Sequence, residues 1–376
     1  MMKNMKKAAA LVLTVAMAAG MTGCGGGSES ETKPTPETTN AVNQETDGAS
    51  GEESKEAGGE KADISGMELS ILGSYHEDMV KRLAEMFEAE TGCKVSYLRM
   101  PTGEAVAKLT AEKDNPSVSV YLGGTVDGHE NLKQQGILTS YTSSTEAEIP
   151  SEYLDPEEVW KSQYIETLSI GVNTERWEEE FADSGLEIPT KLEDLLNPEF
   201  KGEIITPDPS TSGTGYTFVS SVLQYMGEEK GWEYLEKFNE QVGQYTSSGY
   251  TPAEKTGLGE YLITVNFLAD QLIVKTSGYP IQSTVYEGAG WTMVPVSMVK
   301  GSEDNPAAQQ FIDFCLTKEA LDALVELANC VAVRDDAIAP EGGSKLSELN
   351  FNRDFDPIAA AEVKAETLEK FGTFAQ

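Results

Sequence analysis

The sequence predicts an α/β fold. From Met67 onward, short runs rich in β-branched and aromatic residues alternate with amphipathic helical patterns, which is typical of βαβ units. The chain has 376 residues, of which 39% are hydrophobic, so it is long enough for two ordinary domains and apolar enough to bury a core. No period of about 20 to 50 residues repeats along the chain, which argues against a solenoid.

The first five predicted elements follow a βαβαβ order. Residues 69–72 form a hydrophobic run of strand length, and the apolar residues after it recur at helical spacing until Thr91 and Gly92. A glycine just after the last periodic residue typically ends a helix. Residues 95–98 and 118–122 are predicted as the next strands, with a helix over 104–113 between them.

The later elements are predicted from the same two periodicities, which are about two residues for strands and about 3.6 residues for helices. The predicted strands are 168–172, 203–205, 262–267, 281–286 and 293–299. The predicted helices are 213–226, 228–242, 306–316, 318–329 and 357–371.

The amino terminus has the pattern of a secretory signal peptide. Three lysines precede an apolar run over residues 8–19, which is too short for a lasting membrane span. The letters MTGC at residues 21–24 are similar to a bacterial lipobox, in which the cysteine is acylated and becomes the first residue. We therefore expect a signal peptide over 1–23 and lipidation of Cys24. The alternative is an ordinary Cys24 with cleavage elsewhere.

Residues 25–66 are predicted to be a flexible acidic tether that follows the lipidated Cys24. They contain eight glycines and ten acidic residues, with only Val42 and Ile64 as larger aliphatic residues. Such a segment cannot bury enough apolar surface to offset the entropy lost on ordering. The folded part would then be held at the extracellular face of the bacterial cytoplasmic membrane by its lipid anchor.

Charge and residue counts exclude several classes of function. The formal net charge is -35, which argues against a nucleic-acid-binding surface and against adsorption to anionic lipids. His76 and His129 are the only histidines, so a multi-histidine zinc site cannot form. The four cysteines form no CxxC pair, which removes zinc-ribbon and iron-sulfur sites. We expect neither a cofactor nor a resident metal.

Five loops rich in glycine and hydroxyl residues stand between predicted strands and helices, where open α/β sheets bind ligands. Free N–H groups at a helix start, together with the helix dipole, attract anions, and hydroxyls add neutral donors. Any one such loop is explained by simple helix capping, but five together favour a phosphate site. The loops are 73–76, 101–103, 123–125, 208–215 and 246–249.

Catalytic motifs are missing from the sequence. There is no GxxxxGK[ST], GxSxG, HExxH or GxGxxG after a strand. The SGTG run at residues 212–215 is similar to a phosphate-binding loop but lacks the lysine that would reach the outer phosphates. We therefore expect a binding protein and not an enzyme. An extracellular phosphatase remains an alternative, although His76 is the only candidate base that stands out.

The lipobox, the tether and several motifs resemble the extracellular solute-binding lipoproteins of bacterial ABC importers. More narrowly, they resemble the type 2 periplasmic binding proteins of the ferric-iron, hexose-phosphate and phosphonate branch. The motifs are NPEFKG at 197–202, SGTGY at 212–216, TSSG at 246–249 and the helical segments that begin at Pro306 and Lys318.

This resemblance implies two α/β lobes joined by a crossed hinge, with lobe one formed by residues 67–168 and 291–376 and lobe two by 169–290. The chain would cross near 166–173 and return near 287–296. The resemblance also implies a monomer that closes on a small anionic solute, such as a phosphorylated sugar, an organophosphate or a phosphonate. It would then deliver this solute to a permease and an ATPase.

The iron-binding members of the branch are the alternative. They carry two adjacent tyrosines where this sequence has Asn266 and Phe267, and a carboxylate where it has Gly123 and Gly124; only His76 matches their ligands. An iron site here would have to be rearranged, and its candidate ligands are His76, Asp270, Tyr121 and Tyr286.

The anion-binding residues are predicted to lie mainly in lobe two. The 208–215 loop has more hydroxyls than any loop of lobe one, so Ser212, Gly213, Thr214 and Gly215, aided by Ser247 and Ser248, would hold the phosphate. Asp270 and Glu287 would bind a sugar hydroxyl or an amine. The other predicted ligand-binding residues are Ser74, His76, Thr102, Gly103, Gly123, Gly124, Thr211 and Gly249.

Overall fold

The computed structural model describes residues 61–341, 345–348 and 351–375. The strands are β1 (Glu68–Gly73), β2 (Lys94–Arg99), β3 (Val120–Leu122), β4 (Leu138–Thr139), β5 (Trp160–Asn173), β6 (Ile204–Pro207), β7 (Val242–Thr246), β8 (Ile263–Phe267), β9 (Ile281–Thr284), β10 (Trp291–Val299) and β11 (Val331–Ala332). The helices are α1 (Glu77–Thr91), α2 (Thr102–Ala111), α3 (Val126–Gln134), α4 (Thr174–Glu180), α5 (Gly213–Met226), α6 (Glu228–Asn239), α7 (Thr251–Gly257), α8 (Leu268–Thr276), α9 (Pro306–Cys315), α10 (Lys318–Ala328), α11 (Pro357–Glu362) and α12 (Lys364–Phe371).

The predicted signal peptide (1–23), Cys24 and the predicted tether as far as residue 60 lie outside the described residues. The predicted end of the tether is wrong, because Ile64 is buried in the core of lobe one and Gly66 N donates to Gly92 O. Within the described ranges, no helix combines the length and the apolar character that crossing a bilayer would require.

The strands form a mixed sheet in the order β2-β1-β3-β10-β5-β8-β6-β7. At one end, β1 pairs in parallel with β2 and β3; at the other, β6 pairs in parallel with β7 and β8. The two central strands, β5 and β10, are antiparallel to each other. The predicted α/β class is confirmed. Each group of parallel strands has its carboxyl ends together at one edge of the sheet, which is where α/β folds bind ligands.

Strand β5 passes from one lobe to the other. Its first part, up to Thr167, pairs with β10, and its second part, from Leu168, pairs with β8 and β9. We use lobe one for the sheet β2-β1-β3-β10 with the first part of β5, and lobe two for the second part of β5 with β8, β6 and β7. The continuous ladder satisfies the backbone hydrogen-bonding groups where the chain crosses between lobes.

Each lobe has its own apolar core. Helix α1 buries Met79, Val80, Leu83 and Phe87 on one face in lobe one, as the helical spacing predicts, and ends at Gly92 with φ +72°. In lobe two, helix α5 packs against β6 and β8, and α6 packs against α5. These cores fix the directions in which the helices start, and so where their amino termini point.

The carboxyl terminus departs from the predicted division of the chain. Residues 357–371 were expected to form one helix of lobe one, but the helix breaks at Val363, where φ is -102° and ψ is 8°. Phe371, in the second of the two helices, packs in the core of lobe two. The apolar pattern of α12 predicts a buried face but not which lobe covers it, because that depends on packing far along the chain.

Two other elements differ from their predictions. The helix predicted over 228–242 ends at Asn239, and Val242–Thr246 forms β7, which hydrogen-bonds to β6. The strand predicted over 168–172 is the last part of a strand that begins at Trp160. Lys161 and Gln163 interrupt the apolar pattern of that strand yet are buried, which explains why periodicity missed it.

Candidate functional site

A cavity lies between the two lobes, at the carboxyl ends of the parallel strands. It has about 620 Å³ of empty space, part of which is open to solvent. Both lobes contribute to its wall, as a ligand trapped between two lobes would require. Its wall includes Ser74, Arg99, Thr102, Gly124, Thr125 and Glu166 from lobe one, and Ser212, Thr214, Gly249 and Asp270 from lobe two.

Five helices of nine or more residues begin on this wall. In none of them does the side chain of the N-cap residue, which directly precedes the helix, accept a capping hydrogen bond. The cap residues of α1, α2, α3, α5 and α8 are His76, Pro101, Thr125, Ser212 and Phe267. Of the other helices, α9, α10 and α11 start elsewhere and are capped by Asn305, Thr317 and Asp356, whereas α6 starts elsewhere, after Gly227, without a side-chain cap. The N–H groups that helix starts leave without intrahelical partners therefore converge on one cavity, an arrangement suited to an anion.

The turn before α3 brings backbone close to two hydroxyls. Gly123 and Gly124 have φ values of +76° and +78°, which favour glycine. A Cβ on Gly124 would lie 2.8 Å from Thr102 Oγ1 and 3.0 Å from Ser74 Cβ. The turn is supported from behind by His129, whose Nε2 donates to Gly123 O at 2.9 Å. Burial lowers the pKa of His129 to about 4, so the ring stays neutral and keeps this donor geometry.

The lobes touch at Gly213 and Thr125, so the structure is closed. A Cβ on Gly213 would lie 1.8 Å from Thr125 Oγ1, and Gly103 N donates to Thr211 O across the cleft at 2.9 Å. Thr125 is 3% exposed, and its Oγ1 has no hydrogen-bond partner among the described residues. A buried hydroxyl without a partner is costly unless something binds it. Thr125 therefore has a free polar atom on the cavity wall.

Arg99 is the only lysine or arginine among the described residues that line the cavity. It stands at the end of β2, and its Nε donates to Tyr75 O at 2.9 Å. Its terminal nitrogens have no hydrogen-bond partner in the described part of the chain, whereas Arg176 and Arg334 are held in ion pairs. Burial lowers the pKa of Arg99, but from a value so high that the group stays charged.

Two carboxylates face the same cavity. Burial raises the pKa of Asp270 to about 7, against the opposing effects of a hydrogen bond from Asn266 and the charge of Arg99. Burial, with the charge of Asp270 added, raises the pKa of Glu166 well above its usual range. The pair therefore retains at least one proton near neutral pH and can both donate and accept hydrogen bonds.

The structure brings together half of the predicted ligand-binding residues. Those on the cavity wall are Ser74, His76, Thr102, Gly124, Ser212, Thr214, Gly249 and Asp270. Gly103, Thr211 and Gly213 make the contact between the lobes, and Gly123 donates to Pro295 O behind the turn. Gly215 lets α5 approach Pro207, since a Cβ there would lie 2.4 Å from Pro207 O.

Three predicted residues lie away from this wall. Ser247 is exposed, and the carbonyl of Ser248 accepts a hydrogen bond from Thr246 at 2.8 Å. Glu287 lines a different cavity, together with Tyr225 and Asp354. The expectation that Glu287 lies beside Asp270 at the cleft is thus corrected, because the two residues line different cavities.

Residues 116–345 match the family of bacterial extracellular solute-binding proteins. The chain belongs to this family. It is 31% identical, over 78% of its length, to an uncharacterized protein of Haemophilus influenzae, 86% of which is covered.

Solved structures similar to this solute-binding protein show the same architecture. The periplasmic binding protein AfuA from Actinobacillus pleuropneumoniae, with exogenous fructose-6-phosphate bound, is 30% identical, with a TM-score of 0.77 over 83% of this chain and 99% of its own. The periplasmic binding protein P5PA is 28% identical, with a TM-score of 0.76 over 82% and 100%. The predicted two-lobed type 2 periplasmic binding protein fold is confirmed.

Arg99, Thr125 and Glu166 of the solute-binding protein line the cavity but were not among the predicted ligand-binding residues. Arg99 directly follows the predicted strand 95–98, so its position at a strand end was a usable signal. Thr125 was placed in a glycine-rich turn but not chosen. Glu166 had no signal, because a carboxylate inside a strand is distinguished only by the burial that the fold imposes.

The candidate iron ligands are not gathered. His76 and Asp270 line the cavity, but the Tyr121 hydroxyl is buried 3.2 Å from Ser74 Oγ and Tyr286 lies in the core of lobe two. Burial raises the pKa of both tyrosines, which opposes the phenolate that binds iron. Among the described residues, no group of three or more His, Cys, Asp or Glu side chains is placed to hold a metal ion.

The raised pKa of Asp270 predicts a pH-dependent stability. Between its usual pKa of 3.8 and about 7, the folded protein holds a proton that the unfolded chain releases, so this group lowers the free energy of unfolding as pH rises. We expect the free energy of unfolding of Asp270→Asn to decline less with rising pH. The difference in stability between variant and wild type should therefore be more favourable to the variant at pH 8 than at pH 5. Urea unfolding of the ligand-free wild type and variant at both pH values measures these free energies of unfolding.

The control for this measurement is Asp114→Asn, which changes an exposed aspartate. Its pH dependence should equal that of the wild type. An Asp270→Asn protein with the wild-type slope would contradict the assignment.

Proposed function

We propose that the protein captures a small anionic solute, with a phosphate ester or phosphonate group, between its lobes and delivers it to the permease and ATPase of an ABC importer. The observation that carries this proposal is the convergence of uncapped helix starts on the closed cavity. The similar protein AfuA, solved with fructose-6-phosphate bound, supports the phosphorylated class. Closure would shift an open-closed equilibrium, since both lobes donate to the same ligand only when closed.

The anion is proposed to sit where α3 and α5 start. There Thr125 from lobe one and Ser212 and Thr214 from lobe two supply hydroxyls, and Gly124 allows close approach of the backbone. Both lobes then share the anion, in contrast to the expectation that lobe two holds it almost alone. The free guanidinium nitrogens of Arg99 supply the positive charge that balances the solute.

The rest of the solute is proposed to carry hydroxyl or amine groups. Asp270 and Glu166 face the cavity and keep a proton between them near neutral pH, so they suit such polar donors. Among the described residues that line the cavity, no hydroxyl is hydrogen-bonded to a histidine or a carboxylate, so no activated nucleophile is present, and we propose binding without turnover. We also propose that the protein is a monomer and that it is anchored to the membrane by a lipid on Cys24.

Matched pairs of compounds test the proposal. We expect fructose 6-phosphate, glycerol 3-phosphate or 2-aminoethylphosphonate to raise the melting temperature, by about 5 °C for a compound at 100 times its Kd. Fructose, glycerol and ethanolamine, which lack the anion, should give little shift. The measurement is a thermal shift assay with each pair at equal concentration.

Equal shifts from each phosphorylated compound and its parent would contradict the anion site. Release of inorganic phosphate from a bound ester would contradict binding without turnover and favour the phosphatase alternative. Asp270→Asn should weaken the binding of compounds whose hydroxyl or amine groups Asp270 contacts. It should leave the binding of inorganic phosphate, which has no such group, unchanged.

A further inference from the structure

The carboxyl-terminal helices α11 and α12 contact both lobes, because α11 packs against α3 of lobe one as well as α5 of lobe two. Gln224 of α5 and Asp356 exchange two hydrogen bonds, from Gln224 Nε2 to Asp356 O and from Asp356 N to Gln224 Oε1, both at 2.9 Å. Phe371 packs in the core of lobe two, and Asn239 Nδ2 donates to Phe374 O at 3.3 Å. Helix α12 is therefore held to lobe two, whereas α11 lies between the lobes and also packs against α3 and β10 of lobe one.

Lys364, the first residue of α12, reaches across to lobe one. Its Nζ forms an ion pair with Asp127 Oδ2 in the first turn of α3, and the two side chains are 13% and 5% exposed. The same Nζ lies 4.8 Å from the centre of the Tyr216 ring in the first turn of α5, and the Tyr216 hydroxyl donates to Ala360 O. Lys364 thus touches the first turn of one helix from each lobe.

These two helices are the ones whose starts meet at the proposed anion site. Thr125 precedes α3, Ser212 precedes α5, and the lobes touch at Gly213. Asp127 is a buried negative charge two residues after Thr125, and Lys364 neutralises it. Because α12 is held by lobe two, a movement of α3 away from α5 would separate Lys364 from Asp127.

We infer that Lys364 is a clasp between the lobes, a positioning residue that stabilises the closed form by joining Asp127 of lobe one to Tyr216 of lobe two. It lies outside the cavity wall and acts through the two helix starts. Its effect on affinity rests on the proposed anion binding, but its effect on closure does not.

Interlobe distance in the ligand-free protein tests the clasp without any solute. Spin labels at Lys113→Cys in lobe one and Lys230→Cys in lobe two use exposed positions, and the native Cys93, Cys315 and Cys330 are buried. We expect Lys364→Met to shift the distance distribution towards a more open form. The matched control is Lys370→Met, whose ammonium lies 4.4 Å from the centre of the Trp232 ring within lobe two.

A wild-type distribution in Lys364→Met, or an equal shift in Lys370→Met, would overturn the clasp. If Lys364→Met fails to fold because Asp127 is left without a partner, the double variant Asp127→Asn with Lys364→Met removes both charges and should still be more open than wild type. A double variant as closed as the wild type would also overturn it.

Affinity gives a second readout. With fructose 6-phosphate as the probe, Lys364→Met should raise Kd about tenfold and Lys370→Met should leave it unchanged, because the binding-competent closed form becomes rarer. If no phosphate ester binds even to the wild type, the proposed function fails while the distance measurement still decides the clasp.

Discussion

Replacing Gly213 with alanine is expected to lower solute affinity about 100-fold. The added Cβ would lie 1.8 Å from Thr125 Oγ1 on the opposite lobe, a separation that no packing allows. Relieving it requires the lobes to stay apart, and forcing extra atoms into a packed contact costs about 3 kcal/mol. Isothermal titration with a phosphate ester identified by thermal shift measures the loss.

The matched control is Gly372→Ala. Its Cβ would meet Leu368 O at 3.4 Å, which is an ordinary contact, and the residue caps the carboxyl terminus of α12 and does not line the cavity. Both variants should melt close to the wild-type temperature without ligand. Wild-type affinity in Gly213→Ala would mean that the solute is bound in a form more open than this structure.

Replacing Arg99 with methionine is expected to weaken binding of a phosphate ester by about one to two decades. Arg99 is the only lysine or arginine on the described cavity wall, and its terminal nitrogens are free to donate. A hydrogen bond to a charged group contributes about 1.5–3 kcal/mol. The affinity of the wild type should fall with added salt, and that dependence should be smaller in the variant.

Two further variants separate charge from packing. Arg99→Lys keeps the charge but loses the fork of donors, so it should recover part of the affinity. Arg82→Met removes an exposed arginine from α1 and should leave affinity unchanged. An Arg99→Met protein that binds the ester like the wild type would show that helix starts and hydroxyls alone hold the anion.

The site explains how an acidic protein can bind an anion. The formal net charge is -35, yet the cavity offers backbone N–H groups, hydroxyls and one guanidinium at its wall. Helix starts act over a few ångströms, so they can outweigh surface charge that lies farther away and is screened by salt. The acidic surface therefore does not contradict an anionic solute.

Local patterns in the sequence determined the α/β class and most of its elements. The spacing of Met79, Val80, Leu83 and Phe87 predicts α1, because the face of a helix depends only on residues three and four apart. The loops that open α2, α3 and α5 were found in the same way, since glycine and hydroxyl residues mark helix starts wherever they occur. Those loops then proved to lie on one cavity.

The tertiary structure alone decided which of these residues meet. Glu287 and Asp270 are both acidic and close in sequence, but only Asp270 faces the cleft. Thr125 and Gly213 are far apart in the chain and touch because the lobes close. Lys364 reaches Asp127 because α11 packs against α3 and so places the start of α12 beside it. Sheet order and lobe closure are set by contacts between distant segments, and no local periodicity encodes them.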